Sequence, residues 1–129
     1  MESGPSVTLD PYDEDFKKLE ISAGDSDNLI TVTLSNEDHT LGNSLRWILM
    51  KNPEVDFCGY SVPHPSEPKM NVRIQTKDGK PSVEALRKGL NDLVSIAEYT
   101  LGTFQSEFQM FVDSNDITED GSEASEMEE

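Results

Sequence analysis

The sequence is poor in the residues that cross-link small folds and bind metals. Its 129 residues include one cysteine, Cys58, and two histidines. An internal disulfide therefore cannot form, and no cluster has the ligand spacing of a structural zinc site. These absences exclude a disulfide scaffold and a zinc-stabilised fold, and we expect neither a metal nor a cofactor.

Long apolar runs and basic residues are also scarce. No stretch of about 18 apolar residues could span a bilayer, and the amino terminus lacks the pattern of a signal peptide. The 10 Lys and Arg stand against 26 Asp and Glu, which gives a formal net charge of −16. Nucleic-acid affinity comes largely from Lys and Arg that neutralise phosphates. We therefore expect a soluble, intracellular protein that contacts neither a membrane nor nucleic acid directly.

The acidic residues are concentrated at the two ends of the chain. Residues 1–28 carry a net charge of −6, residues 113–129 carry −8 with no base, and the middle carries only −2. Of the 44 apolar residues, 33 fall in that middle part, 29–112. This distribution predicts one domain at 16–112 between acidic disordered segments at 1–15 and 113–129.

Two kinds of hydrophobic periodicity predict an α+β fold. Alternating apolar and polar residues indicate four strands, at 18–22, 29–34, 55–62 and 70–76, the first two forming a hairpin. Between the second and third strands the spacing becomes helical, at Leu41, Leu45, Ile48 and Leu49. Asp38 or Thr40 is expected to cap this helix, and Asn52-Pro53 to end it.

The longest pattern in the chain begins at Ser82. Over 82–112 apolar residues recur at steps of three and four, apart from one adjacent pair, which predicts an amphipathic helix. These 31 residues would form a helix about 46 Å long, whereas a domain of this size is about 30 Å across. We therefore expect a partner protein to cover Phe104, Phe108 and Phe111. The alternative is a break at Gly89 or Gly102, after which the end folds back.

Candidates for catalysis are few. Cys58 with His39 or His64 could form a nucleophilic site, because a thiolate needs a neighbouring base. Cys58 lies in the middle of a predicted strand, however, where a free cysteine usually packs as a small core residue. We find no glycine-rich phosphate loop and no catalytic motif. We predict no catalytic residue, and the alternative is a small α+β enzyme or binding module that uses Cys58 and His64.

The stretch 36–75 contains an ordered set of motifs. It holds EDHTLGNSLR at 37–46, KNPEVDFCGY at 51–60 and HP at 64–65. This set resembles the small alpha-like (archaeal subunit L type) subunit of multisubunit RNA polymerases, with the similarity extending over roughly 16–112. KNPEVDFCGY is most similar to the branch shared by eukaryotic RNA polymerases I and III. The equivalent RNA polymerase II subunit is the alternative.

The resemblance implies a fold, an assembly and a location. The fold is a four-stranded antiparallel sheet with two helices on one face, like the dimerisation domain of bacterial RNA polymerase alpha. The subunit would form a heterodimer with a larger alpha-like subunit and nucleate assembly of the two large catalytic subunits. It would act in the nucleus and nucleolus, in transcription of rRNA, 5S rRNA and tRNA. It would have no active site, because the catalytic magnesium belongs to the largest subunit.

The resemblance and the periodicity together predict a partner interface. On the first helix the matching motif residues are Leu41, Gly42, Asn43, Leu45 and Arg46. On the closing helix, periodicity adds Leu86, Leu90, Leu93, Val94, Ala97, Leu101, Phe104 and Phe108.

Three smaller features also bear on interactions. The absence of a side chain at Gly42 predicts that another backbone approaches closely there. Arg46 and Trp47 are either interface anchors or ordinary surface residues. Ser122 and Ser125 in the acidic tail could be sites for an acid-directed kinase, although a solvated tail is the simpler interpretation.

Overall fold

A computed structural model describes residues 8–115 of the chain. The elements are β1 (Leu19–Ala23), β2 (Leu29–Ser35), α1 (His39–Met50), β3 (Val55–Ser61), β4 (Lys69–Thr76) and α2 (Ser82–Asn115). The six predicted elements are confirmed, and α2 ends three residues beyond the predicted position 112. Residues 1–7 and 116–129 lie outside the described range, and with them lie Ser122, Ser125 and most of the two ends predicted to be disordered.

The four strands form one antiparallel sheet in the order β1-β2-β4-β3. One row across the sheet joins Ile21 to Val32, Val32 to Val72 and Val72 to Tyr60. Residues directly opposite each other share a face of the sheet. This row therefore runs along the same face from one edge strand to the other.

The hydrophobic core lies between the sheet and the two helices. Alternate residues of β2 and β4 are at most 2% exposed and form its floor: Ile30, Val32, Met70, Val72 and Ile74. Leu45 and Leu49 of α1, with Ala85 and Leu86 of α2, pack against that floor. Both helices thus cover one face of the sheet, as predicted. Apolar residues recur every second position in the strands and every third or fourth position in the helices, so each element turns one apolar side toward the core.

An irregularity in β3 changes which of its side chains face the core. Val55 pairs with Thr76 and Phe57 with Gln75, so Asp56 is an extra residue in the ladder. Val55 and Cys58 are both buried as a result, whereas Phe57 is 50% exposed on the opposite face of the sheet. Simple alternation along 55–62 does not predict this arrangement.

Asn36, which follows β2, ties the segment before β1 to the domain. Its side-chain oxygen accepts a hydrogen bond of 2.7 Å from the Leu9 amide, and its Nδ2 donates one of 2.9 Å to the Leu9 carbonyl. Asn36 has a φ of 58°, a left-handed conformation that asparagine tolerates better than most residues. Residues 8–15, which the sequence assigned to a disordered segment, are therefore attached to the domain through Leu9.

The closing helix is continuous through both of its glycines, so the alternative of a break at Gly89 or Gly102 is wrong. A Cβ at Gly89 would lie 2.9 Å from Leu49 Cδ2 and 3.5 Å from Ile48 Cγ2. The glycine therefore permits close contact between α2 and α1. The chain divides into two units, Met1–Leu93 and Val94–Glu129, and α2 contributes residues to each.

Candidate partner interface

Asp38 fixes the start of α1 and hence the position of the motif residues that follow it. Its side chain accepts a hydrogen bond of 2.9 Å from the Thr40 amide. Asp38 is therefore the residue that caps this helix, and it is one of the two caps that the sequence predicted. This hydrogen bond is the main reason that the pKa of the Asp38 carboxyl lies below its ordinary value of 3.8. One turn later, the Gly42 amide donates to the Asp38 carbonyl at 3.0 Å.

Gly42 is buried against side chains of its own chain. A Cβ at this position would lie 2.5 Å from Tyr60 Cε2 and 2.8 Å from Met70 Sδ. The Tyr60 hydroxyl is also hydrogen-bonded to His39 Nδ1 at 2.9 Å, which holds the ring in place. The predicted reason for this glycine, approach of another backbone, is therefore wrong, because Tyr60 and Met70 fill the space.

The remaining motif residues of α1 lie on two different faces of the helix. Leu45 is fully buried in the core, and Leu41 packs partly buried against it. Asn43 and Arg46 are exposed, and both line a pocket between α1 and β3. The predicted set is therefore not one contiguous surface, because helical spacing places only some of its members outward.

The outer face of α1 carries two large apolar side chains. Trp47 is 52% exposed and Met50 is 46% exposed. Lys51 Nζ lies 4.6 Å from the centre of the Trp47 ring, within the range of a cation–π contact. Trp47 was singled out from the sequence, but Met50 was not. The position of Met50, three residues after Trp47, would have placed it on the same face of the helix.

A buried hydroxyl pair holds the start of α2 against the sheet. Ser82 Oγ and Thr76 Oγ1 lie 3.1 Å apart, and both residues are at most 1% exposed. The Ser82 amide also donates to the Asp27 carbonyl at 2.9 Å. From this start, Leu86 is buried in the core, and Leu90 and Leu93 are partly buried against it. These three predicted interface residues thus contribute to the chain's own core.

The second unit consists, in its described part, of α2 from Val94 onward. The predicted stripe is exposed along its whole length here: Val94 55%, Leu101 57%, Phe104 65%, Phe108 44% and Phe111 57%, with Ala97 also exposed. The rings of Phe104 and Phe108 stack with their centres 6.0 Å apart. Soluble monomers rarely expose contiguous apolar patches of this kind. Ile96, Tyr99 and Met110 are exposed too, although they lie outside the stripe predicted from the sequence.

The environment of Cys58 argues against a nucleophilic site. The residue is 2% exposed, and burial raises the pKa of its thiol to about 11, although the charge of Arg46 acts in the opposite direction. At neutral pH the thiol is therefore protonated and weakly nucleophilic. Across residues 8–115, no group of three His, Cys, Asp or Glu side chains is placed to hold a metal ion. In the same range, no helix combines the length and apolar character needed to cross a membrane.

Comparison with known proteins relates this arrangement to RNA polymerases. Residues 29–103 match the family described as the RNA polymerase Rpb3/Rpb11 dimerisation domain. The DNA-directed RNA polymerases I and III subunit RPAC2 of Danio rerio is 51% identical over 88 residues, which cover 68% of this chain and 79% of the relative. The protein of the same name from Schizosaccharomyces pombe is 57% identical over 84 residues, 64% of this chain and 67% of the relative.

A solved structure gives the same result at the level of the fold. DNA-directed RNA polymerase subunit L from Thermoplasma acidophilum superimposes with a TM-score of 0.64 and 29% sequence identity, covering 74% of this chain and 92% of that one. The resemblance to the small alpha-like subunit, and to its I and III branch, is therefore confirmed. Since the family match includes more than half of its residues, the chain belongs to the RNA polymerase Rpb3/Rpb11 dimerisation domain family.

Proposed function

We propose that the chain is a non-catalytic assembly subunit of DNA-directed RNA polymerases I and III. It forms a heterodimer with a larger alpha-like subunit, and the heterodimer nucleates assembly of the two large catalytic subunits. It acts in the nucleus, including the nucleolus, in transcription of rRNA, 5S rRNA and tRNA. The observation that carries the proposal is the uncovered apolar stripe of α2 from Val94 onward, in a chain whose family is named for dimerisation.

The centre of the proposed interface is this stripe, which we call the first face: Val94, Ala97, Leu101, Phe104, Phe108 and Phe111. Burial of one such large side chain contributes roughly 1.5–3 kcal/mol, and large aromatic side chains contribute the most area. In the first unit, the proposed interface residues are Asn43 and Arg46, which are exposed on α1, and Leu41, Leu90 and Leu93, which are partly buried. Gly42, Leu45 and Leu86 act indirectly, because they hold both helices on the sheet.

Two properties of the chain support a non-catalytic role without direct contact to nucleic acid. The protonated thiol of Cys58 is buried in the core, where a substrate could not reach it. The formal net charge of −16 repels phosphates, so DNA and RNA are contacted by other subunits. Catalysis accordingly belongs to the assembled polymerase rather than to this chain.

The proposal is tested by co-expression with the larger alpha-like subunit, compared with expression alone. Size-exclusion chromatography with light scattering should show a 1:1 heterodimer, and self-association of the lone chain. The alpha-like subunit of RNA polymerase II serves as the control partner and should not form this complex. If the chain expressed alone is monodisperse and binds neither alpha-like subunit, the proposal is contradicted.

A matched pair of variants locates the interface. Phe108→Ser removes a ring from the first face, whereas Gln109→Ser changes an adjacent exposed residue on a polar part of α2. Loss of one central aromatic anchor is expected to weaken the heterodimer by at least about tenfold. The Gln109→Ser heterodimer should be as stable as the wild type. Equal effects of the two substitutions would place the interface elsewhere.

A further inference from the structure

Beyond Leu93, α2 carries a second exposed apolar face. Ile96 is 44% exposed, Tyr99 76% and Met110 61%, and exposed Thr103 lies between them at helical spacing. We call these four residues the second face. At about 100° per residue, its centre lies about 140° around the helix from the centre of the first face. A partner surface that covers the first face therefore leaves the second face uncovered.

The charges around the second face restrict what can cover it. The chain has no Lys, Arg or His after Lys88, so residues 89–129 contain acids as their only charged side chains. Glu107 and Asp113 lie on opposite sides of the second face by helical spacing. The face is thus an apolar strip with a rim of negative charge. Its occupant must be apolar at the centre and basic at the rim.

Charge also argues against occupants from this chain itself. A second copy bound through the same face would place Glu107 and Asp113 near the same residues, with no base in 89–129 of either copy to compensate. Residues 116–129 contain seven acids and no base, and residues 1–7 contain Glu2 and no base. Neither terminal segment is complementary to the rim. A different protein with Lys or Arg side chains is the occupant that fits.

We propose that the second face binds a polymerase subunit other than the larger alpha-like partner, through an apolar patch rimmed by Lys or Arg. This rests on the proposed function, which assigns the first face to the alpha-like partner. Tyr99 and Met110 are residue types enriched at the centres of protein interfaces. With both faces occupied, α2 beyond Leu93 becomes a helix enclosed by two different proteins, as expected of a helix with apolar residues on opposite sides.

Photo-cross-linking in the native polymerase tests which protein lies on each face. p-Benzoylphenylalanine is introduced in place of Tyr99 in one strain and of Phe104 in another, and adducts from purified polymerases I and III are sequenced. The Phe104 adduct should map to the alpha-like partner. The Tyr99 adduct should map to a different subunit, in an apolar segment flanked by Lys or Arg. A Tyr99 adduct on the alpha-like partner, on a second copy or on the acidic tail would overturn the proposal, as would no adduct.

Substitutions separate the second face from the first. The double variant Tyr99→Ser, Met110→Ser should form the heterodimer within about twofold of wild type, yet enter complete polymerase at least about tenfold less well. Glu107→Lys tests the rim without removing apolar area, and should also lower incorporation. Gln109→Ser is the control for both, and circular dichroism of each heterodimer checks that the helix is intact.

The outcomes distinguish failure of this inference from failure of the proposed function. Normal incorporation of the double variant, or loss of its heterodimer, would overturn the second-face assignment alone. If the wild type forms no heterodimer, the proposed function fails, and the Tyr99 adduct still reports what lies on the second face.

Discussion

The ring of Tyr60 occupies the space that a side chain on Gly42 would need. Tyr60 Cε2 lies 2.5 Å from the position of a Cβ on Gly42, closer than real Cβ contacts come. Met70 Sδ lies 2.8 Å from the same position. The glycine of the EDHTLGNSLR motif thus sets how closely α1 approaches β3 and β4.

We expect Gly42→Ala to destabilise the protein by about 1–3 kcal/mol, because the added methyl group overpacks the core at Tyr60 and Met70. Urea unfolding of the heterodimer measures the effect. Gly102→Ala is the matched control, since a Cβ there meets nothing within 4 Å, and it should stabilise α2 by up to about 1 kcal/mol. Equal shifts for the two substitutions would contradict this account of Gly42. Gly42→Leu should abolish pairing through misfolding rather than through a contact with the partner.

The contact between Gly89 and Leu49 predicts energetic coupling between α2 and α1. Gly89→Ala should destabilise the protein although alanine favours helix, because its Cβ would lie 2.9 Å from Leu49 Cδ2. In the Leu49→Ala background the same substitution should be neutral or stabilising, because the clashing atom is gone. A double-mutant cycle from urea unfolding should give a coupling of about 0.5–3 kcal/mol. If the effects of the two substitutions on the free energy of unfolding are additive, α1 and α2 accommodate the Cβ at position 89 without a clash at Leu49.

The hydrogen bond from Thr40 to Asp38 predicts a pH-dependent start of α1. Because the folded pKa of Asp38 lies below 3.8, its contribution to stability is present above that pH and is lost as the pH falls through the folded value. Asp38→Ala should therefore be less stable than wild type at pH 6, with the difference shrinking below pH 3.8. Amide hydrogen exchange of the first turn of α1 measures this.

Asp38→Asn is the control for that experiment, because asparagine caps helices well but has no carboxyl to titrate. Its first-turn protection should stay nearly constant over the same pH range. If Asp38→Asn and the wild type lose protection together, a group other than Asp38 is responsible.

The buried thiol of Cys58 should react very slowly in the native protein. A pKa raised from 9.0 to about 11 lowers the thiolate fraction at pH 8 by about 100-fold, and burial slows access further. Ellman's reagent should therefore label Cys58 in urea but scarcely label the native heterodimer. Fast labelling at pH 8 would revive the small-enzyme hypothesis with Cys58 and His64. Cys58→Ser should leave assembly and growth unchanged if no catalytic role exists.

Strands and helices were predictable here wherever one face is buried and the periodicity is undisturbed. Met70, Val72 and Ile74 alternate along β4, and all three lie in the core. Alternation does not predict the buried residues of β3, because the extra residue Asp56 reverses the alternation. No local signal in the sequence marks this bulge. Bulges depend on how two strands pair, which a single strand's sequence does not encode.

The exposed apolar stripe of α2 was predictable from the sequence, whereas the burial of individual residues of α1 was not. Helical spacing identified Phe104 and Phe108, and both are exposed, as expected of an apolar face that binds a partner. It could not separate Leu45, which is buried in the chain's own core, from exposed Arg46, since a motif match does not distinguish inner from outer residues. The role of Gly42 was missed because Tyr60 is distant in sequence. The second face escaped notice because the stronger stripe dominated the pattern.

Strand β1 lies at the edge of the sheet, and all five of its residues are exposed, including Leu19 and Ile21. It is held to β2 by backbone hydrogen bonds but gains little from apolar burial. Local unfolding should therefore begin here, at a lower free energy than opening of β2 or β4. Such opening would release β1 while Val32 and Val72 stay packed in the core. The edge of β2 would then expose unpaired backbone groups, to which a strand of another chain could bind.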